Sequence, residues 1–252
     1  MKQLRVSALA LLFAIVGLAA LAAADAAAAL AYAAFVPVEP GDSPLPEIGA
    51  VRFAVYGDSL AYGQGASHGR GWIAEFSRRI RAQRPGSVVV NSGVRGARVR
   101  DVIPQVAGAH VADPTAVLVV AGTNDVIGVV DPLTLASDES AMLAALRSRY
   151  PGARLLVTNV PDVARWRSGR MMHLNPAMRR EYWMLTEVYD GIIARLATRY
   201  GADVIDLNAL TRRPDAFDEV YVIDGFHPND RGYAIFASFG WPVVAHALGL
   251  RS

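Results

Sequence analysis

The chain has 252 residues, of which 53% are hydrophobic and 19% are charged, and its formal net charge is +2. This composition excludes global disorder and allows a sizeable core in one domain of ordinary size, or in two small ones. The small net charge implies no strongly charged partner, such as a nucleic acid. The chain has no cysteine, which excludes disulfides, thiolate metal sites and a lipid-modified cysteine.

The N-terminal segment has the pattern of a targeting sequence. Lys2 and Arg5 precede a charge-free apolar run over residues 6–24, and Ala22 and Ala24 offer a small-residue cleavage site. The run is also long enough to span a bilayer if it is not cleaved. Either outcome places the rest of the chain outside the cytoplasm, because the positive charges stay inside.

Three regions follow from this pattern. Residues 1–33 are predicted to be a signal peptide or an N-terminal membrane anchor. Residues 34–49 are rich in proline and lack periodicity, so they are predicted to be a linker. Residues 50–252 are predicted to be the folded domain.

Short apolar runs alternate with helical patterns through this domain. The predicted strands lie at residues 51–56, 87–91, 116–122, 153–160 and 202–207. The predicted helices lie at residues 71–83, 98–110, 132–150, 175–200 and 229–248. Strands that alternate with helices indicate a parallel sheet covered on both faces. The predicted class is therefore α/β, a three-layer α/β/α sandwich with a five-stranded parallel sheet.

Polar residues and glycines follow the predicted strands, and ligands of such sheets bind at the carboxyl ends of the strands. Three stretches stand at the ends of the first three strands: "YGDSLAYGQG" at 56–65, "NSGVRG" at 91–96 and "GTND" at 122–125. Past the fifth strand, a loop leads to a fourth, "DGFHPND" at 224–230. A serine hydroxyl becomes a nucleophile when a positioned base accepts its proton, and histidine suits that task near neutral pH. We predict Ser59 as the nucleophile and His227 as the base, with Asp224 holding the imidazole.

Attack on an ester carbonyl produces an oxyanion, which needs hydrogen-bond donors aimed at it. The backbone N–H of Ser59, the backbone N–H of Gly93 and the side-chain amide of Asn124 are predicted to supply them. Asp58 and Asp125 are predicted to have structural roles.

Together these four stretches resemble the SGNH hydrolases, also called GDSL esterases and lipases, in the usual order and over about 180 residues. The resemblance implies a flavodoxin-like fold, Ser59 as nucleophile, His227 and Asp224 as its partners, and an oxyanion hole of Ser59, Gly93 and Asn124. A rival interpretation is the G-x-S-x-G elbow of α/β-hydrolases, since Ser59 lies in G-x-S-x-A. That fold places the serine deeper in the sheet and separates the acid from the histidine.

Four further residues are candidates for substrate binding. Arg95 follows Gly93 and is predicted to overhang the cleft, where it recognises an anionic or sugar-linked substrate. Trp166, Met171 and Met172 lie in an irregular stretch after the fourth strand, and they are predicted either to face an acyl chain or to fold onto the core.

The predicted function is that of an exported serine esterase or lipase that acts on a small-molecule, lipid or glycan ester. No cofactor is expected, and no histidine–carboxylate cluster has metal spacing. Two alternatives remain open at this point: an acyltransferase or deacetylase on a cell-envelope glycan or lipid, and an inactive membrane-tethered binding module.

Overall fold

The structure is a computed structural model of the chain. It describes residues 23–31, 49–69, 71–108, 111–165, 174–213, 220–222 and 224–252. Residues 1–22 and the predicted linker at 34–49, apart from residue 49, lie outside the described residues. Within the described ranges, no helix is both long and apolar enough to cross a membrane.

Five strands form one parallel sheet, as predicted. They are β1 Arg52–Gly57, β2 Val88–Asn91, β3 Ala116–Val120, β4 Arg154–Thr158 and β5 Ala202–Ile205. Every strand begins and ends within two residues of its predicted run. Their spatial order is β2-β1-β3-β4-β5, which is the order of flavodoxin-like folds.

The central strands are buried on both faces, and for this reason their sequences do not alternate. All five residues of β3 are buried, and Arg52 is the exposed residue of β1. Strand β2, at the edge of the sheet, keeps Val88 and Val90 largely exposed. Because Gly57 pairs with Val120, β1 and β3 end at the same level, and the residues that follow them are neighbours.

Helices cover both faces of the sheet and complete the predicted three-layer sandwich. They are α1 Ser59–Tyr62, α2 Trp72–Gln83, α3 Val102–Ala107, α4 Thr123–Ile127, α5 Pro132–Arg149, α6 Pro176–Tyr200, α7 Leu207–Thr211 and α8 Asp230–Ala247. Helices α2 and α8 pack together, and α5 packs against α3 and α6. Right-handed crossovers place these two groups on opposite faces of the sheet.

Side-chain caps fix where the long helices begin. Asp131, Asn175 and Asn229 each accept a hydrogen bond from the backbone N–H three residues ahead, in α5, α6 and α8 respectively. Pro132 and Pro176 occupy the first position of their helices, where no N–H is needed. The predicted bounds of these helices agree with the structure within one residue.

The predicted helix at 98–110 is shorter in the structure. It consists of a 3-10 turn, Val99–Asp101, followed by α3. The C-terminal end of α3 is marked by Gly108, whose N–H bonds to the carbonyl of Pro104. Residues 109 and 110 lie outside the described residues.

A helix over residues 23–31 packs against the folded domain. Ala29 is fully buried. Leu30 lies so close to α6 that a Cβ added at Gly191 would be 3.1 Å from its Cδ2 atom. The end of the predicted N-terminal segment therefore contacts the domain as well as preceding it.

Candidate active site

A tight turn between β1 and α1 presents Ser59 at the carboxyl edge of the sheet. Gly57 has a φ of 134°, and a Cβ there would lie 1.9 Å from the carbonyl oxygen of Val120. The next residue, Asp58, donates its N–H to that same oxygen at 2.8 Å and caps α1 by accepting from Leu60 N–H at 2.8 Å. Asp58 thus has the structural role that the sequence indicates, and Ser59 begins the helix.

The side-chain amide of Gln105, in α3, holds the turn from the other side. Its Oε1 accepts from Gly57 N–H at 2.8 Å and its Nε2 donates to Gly57 O at 3.0 Å. On the side of the edge strand β2, Gly57 O also accepts from Val94 N–H at 2.8 Å. Gln105 therefore supplies the acceptor for Gly57 N–H and a second donor to Gly57 O. Sequence reasoning missed Gln105, because a single glutamine in a helical pattern carries no signal of this contact.

Ser59, His227 and Asp224 meet in the structure. The Nε2 atom of His227 lies 3.0 Å from Ser59 Oγ, and its Nδ1 atom lies 2.7 Å from Asp224 Oδ2. Because an ionised carboxylate only accepts, Nδ1 carries the proton, and Nε2 of the neutral ring is left to accept from the Ser59 hydroxyl. The three residues are thus joined by two consecutive hydrogen bonds.

The Asp224–His227 turn is held by its own backbone. Asp224 Oδ1 accepts from the N–H groups of Phe226 and His227, at 2.8 and 3.0 Å, and Gly225 has a φ of 66°. Burial alone would raise the pKa of Asp224, but these donors and the His227 ring hold that pKa below its ordinary value. The carboxylate therefore stays charged beside the imidazole.

A glycine loop after α1 packs against this histidine. A Cβ at Gly65 would lie 2.5 Å from Pro228 O and 3.1 Å from His227 Cβ. The buried Tyr233 of α8 donates its hydroxyl to Gln64 O at 2.8 Å. The loop that follows Ser59 therefore packs closely against the His227 turn, in addition to the hydrogen bond between the Ser59 and His227 side chains.

Two of the three predicted oxyanion donors are available near Ser59. Its own N–H has no hydrogen-bond partner among the described residues. Asn124, in α4, donates one Nδ2 hydrogen to Ala97 O at 2.8 Å, which fixes the amide and leaves its second hydrogen. Both groups follow adjacent strands, at the point where the strand order reverses and open sheets bind their ligands.

The backbone N–H of Gly93, the third predicted oxyanion donor, already has a partner in the structure. It donates to Asn91 Oδ1 at 3.0 Å, so in this arrangement it is not available to an oxyanion. The reason for a glycine here is close packing, since a Cβ would lie 2.5 Å from Tyr62 N. Gly96, in the same loop, has a φ of 77° and open space around it, and its N–H has no partner within the described part of the chain.

The predicted substrate-binding residues divide into two groups. The guanidinium carbon of Arg95 lies 4.5 Å from the centre of the Tyr62 ring. Tyr62 is in α1, one helical turn after Ser59. Trp166, Met171 and Met172 lie outside the described residues.

Three buried carboxyl groups lie beneath this edge of the sheet. Burial raises the pKa of Asp58 to about 7, that of Asp125 to about 6 and that of Glu139 to about 8. Mutual repulsion adds to the effect, from Asp125 on both Asp58 and Glu139. Oδ2 of Asp58 and Oδ1 of Asp125 have no partner among the described residues.

These groups predict a stability that falls as the pH rises. The unfolded chain releases its carboxyl protons near pH 4, whereas the folded protein keeps them to about pH 6–8, so ionisation disfavours folding across that window. Glu139→Gln keeps the shape and removes one titration. We expect its melting temperature to fall less than that of the wild type between pH 5 and pH 8.5, measured by calorimetry. Parallel curves for the two proteins would contradict this assignment.

Comparison with known proteins identifies the family. The model of the GDSL-like Lipase/Acylhydrolase family matches residues 55–235, a span that includes Ser59, Asn124, Asp224 and His227. The chain belongs to this family. As a GDSL-like lipase/acylhydrolase it is an ester hydrolase. No curated protein sequence matches it.

Solved structures of GDSL-like and related enzymes share the fold. The structure of TesA has 20% sequence identity and a TM-score of 0.63, over 78% of this chain and 99% of TesA. The psychrotrophic esterase EstA from Pseudoalteromonas sp. has 14% identity and a TM-score of 0.59, over 79% and 98%. Phospholipase A1 from Streptomyces albidoflavus NA297 has 17% identity and a TM-score of 0.57, over 76% and 98%.

Proposed function

We propose that this GDSL-like enzyme hydrolyses carboxylic esters through an acyl-enzyme on Ser59. The observation that carries the proposal is the pair of hydrogen bonds at His227, 3.0 Å to Ser59 Oγ and 2.7 Å to Asp224 Oδ2. A neutral imidazole in this position accepts the hydroxyl proton as Ser59 attacks. Asp224 stabilises the imidazolium that forms, because its carboxylate stays ionised.

The reaction divides into two half-reactions. Oγ of Ser59 bonds to the ester carbonyl carbon while its proton passes to His227 Nε2, and the collapse of the tetrahedral intermediate expels the alcohol, which takes that proton. Water then loses a proton to His227 Nε2 and attacks the acyl-enzyme. Collapse of the second tetrahedral intermediate breaks the bond to Ser59 Oγ, which takes the proton back from His227 as the acid is released. No cofactor enters either half.

The oxyanion is stabilised by donors that surround Ser59 before substrate binds. We assign the Ser59 N–H and the free Nδ2 hydrogen of Asn124 to this role, and Gly96 N–H as the third donor in place of Gly93. The assignment of Gly96 rests on two observations. Its N–H has no partner among the described residues, and the adjacent Ala97 accepts a hydrogen bond from Asn124, another proposed donor. Fixed donors of this kind stabilise a developing charge without reorganisation.

A fluorophosphonate probe tests the proposal directly. Oγ of an activated serine bonds to phosphorus and fluoride leaves, so wild type is expected to gain one covalent adduct on the peptide that contains Ser59. Ser59→Ala is expected to gain none, while Ser238→Ala, on the exposed surface of α8, labels like wild type. An unlabelled wild type, in conditions where a known serine esterase reacts, would favour the inactive binding module.

We also propose that the enzyme acts outside the cytoplasm. The support is the N-terminal sequence pattern of Lys2, Arg5 and the charge-free run at residues 6–24. Because Ala29 is buried against the domain, a chain cut after residue 24 keeps residues 25–31 of that packed helix. Cell fractionation with N-terminal sequencing of the recovered enzyme tests both location and cleavage; recovery of an uncleaved chain in the soluble cytoplasmic fraction would reject export.

A further inference from the structure

A stacked arginine lies beside the proposed nucleophile. The guanidinium carbon of Arg95 is 4.5 Å from the centre of the Tyr62 ring, a distance at which the ring attracts the cation. Tyr62 is 52% exposed and lies three residues after Ser59 in α1, so the two residues share a helix face. The stack therefore lies on the same side of α1 as the nucleophile.

The loop that carries Arg95 is fixed at both ends. Gly93 packs so closely that a Cβ there would overlap Tyr62 N. Ala97 N–H donates to Val94 O at 3.1 Å, which closes a turn with Arg95 and Gly96 at its tip, and Ala97 O accepts from Asn124. Arg95 thus precedes Gly96, one proposed oxyanion donor, in the sequence. It stacks on Tyr62, which lies one helical turn after Ser59, a second proposed donor.

The charge of Arg95 is not neutralised. Within the described ranges it has no ion pair, whereas the nearby Arg100 lies 3.8 Å from Asp101. Tyrosine stacking orients the guanidinium but supplies no negative charge and leaves its N–H donors available. The outcome is an oriented, uncompensated cation at the edge of the site.

We propose that Arg95, oriented by Tyr62, is a specificity residue that favours esters carrying an anionic oxyacid group close to the scissile carbonyl. The inference rests on the proposed hydrolase function and names its substrate class. A planar guanidinium binds carboxylate or phosphate oxygens through paired N–H donors, and the stack reduces the entropy lost when it does so. Both oxyacids present the same acceptor geometry to Arg95.

The test compares two esters that differ in charge. The mono-p-nitrophenyl ester of glutaric acid carries a carboxylate, and p-nitrophenyl pentanoate has the same chain length without one. Wild type is expected to show a higher kcat/KM for the anionic ester. Arg95→Ala is expected to lower the anionic-to-neutral ratio of kcat/KM about tenfold, and Arg95→Lys, which keeps the charge without the planar fork, to restore part of it.

Further variants separate charge from orientation. Tyr62→Phe keeps the ring and is expected to keep the preference, while Tyr62→Leu removes the stack and lowers it. Raising the salt concentration is expected to shrink the preference of wild type. Arg100→Ala is the matched control, because both arginines are cationic and exposed but Arg100 is paired with Asp101. Its anionic-to-neutral ratio of kcat/KM is expected to equal that of wild type.

Competition distinguishes the two anions, since glutarate and glycerol 3-phosphate can each be tested as inhibitors of wild type and of Arg95→Ala. The anion that inhibits wild type more strongly than the variant is the one that Arg95 recognises. Equal ratios in wild type and Arg95→Ala would overturn the inference. The proposed function stands apart from that result, because it requires only that wild type hydrolyse the neutral ester and that Ser59→Ala not do so.

Discussion

Replacing His227 with alanine is expected to lower kcat for p-nitrophenyl butyrate by about 10⁵- to 10⁶-fold, as loss of the base does in other serine hydrolases. The hydrogen bond of 3.0 Å to Ser59 Oγ makes His227 the acceptor of the serine proton. Without it, the hydroxyl must attack while still protonated. Steady-state and single-turnover kinetics measure the loss, and a parallel slow rate of fluorophosphonate labelling locates it in the first half-reaction.

The Asp224→Asn variant is expected to lose less activity than His227→Ala. An asparagine keeps the size of the side chain but removes the carboxylate that fixes the imidazole tautomer, so a loss of about 10⁴-fold in kcat is expected. Combining it with His227→Ala is expected to add almost nothing, because the two residues act as one unit. His246→Ala, on the exposed surface of α8, is the control and should match wild type. A loss below tenfold for His227→Ala would exclude it as the base.

Sequence alone located the strands and the residues at their ends, for a physical reason. A strand covered on both faces, such as Ala116–Val120, has to be continuously apolar, and the polar residue that follows marks its end. Parallel strands then bring those ends together whatever their distance in sequence. For this reason Ser59 and Asn124, which follow β1 and β3, could be placed at one site. His227, 168 positions from Ser59, lies beyond a loop after β5, and its place was predicted from its stretch of sequence and the resemblance that this stretch carries.

Loop hydrogen bonds could not be predicted in the same way. Gly93 and Gly96 lie three residues apart in one loop, and either N–H could face the substrate on sequence grounds. Which of the two N–H groups is available depends on Asn91. Its Oδ1 accepts from Gly93 N–H at 3.0 Å, and its Nδ2 donates to Ala61 O at 2.7 Å. Such contacts depend on the folded conformation of the loop, and no periodic pattern in the sequence predicts them.

The burial of Glu139 and the bracing role of Gln105 were also missed. Both occupy positions in helical patterns, where a charged or amide side chain is mostly exposed to solvent. Glu139 is only 3% exposed because α5 packs against α6, α3 and the Val99–Asp101 turn. The surroundings of Glu139 and Gln105 therefore depend on tertiary packing, which helical periodicity does not predict.

Gly57→Ala is expected to cost roughly 2–6 kcal/mol of stability, the sum of backbone strain and overpacking. The φ of 134° is strained for any L side chain, and the new Cβ would lie 1.9, 2.7 and 2.9 Å from three backbone atoms of Val120. No rotamer change relieves a clash with backbone, so β1 and β3 must separate at the level of Gly57. Because whole domains are stable by only about 5–15 kcal/mol, a large loss of folded protein follows.

The same separation predicts a loss of function in any Gly57→Ala protein that remains folded. Parting the strands breaks the bond between Asp58 N–H and Val120 O, now 2.8 Å, and moves Ser59 away from the donors that follow β3. Urea unfolding measures the stability, and fluorophosphonate labelling of the soluble fraction measures the alignment of Ser59. Gly152→Ala is the matched control, because its Cβ would meet nothing within 4 Å. Equal unfolding midpoints for the two variants would show that β1 and β3 are not in the close contact on which the geometry of the site depends.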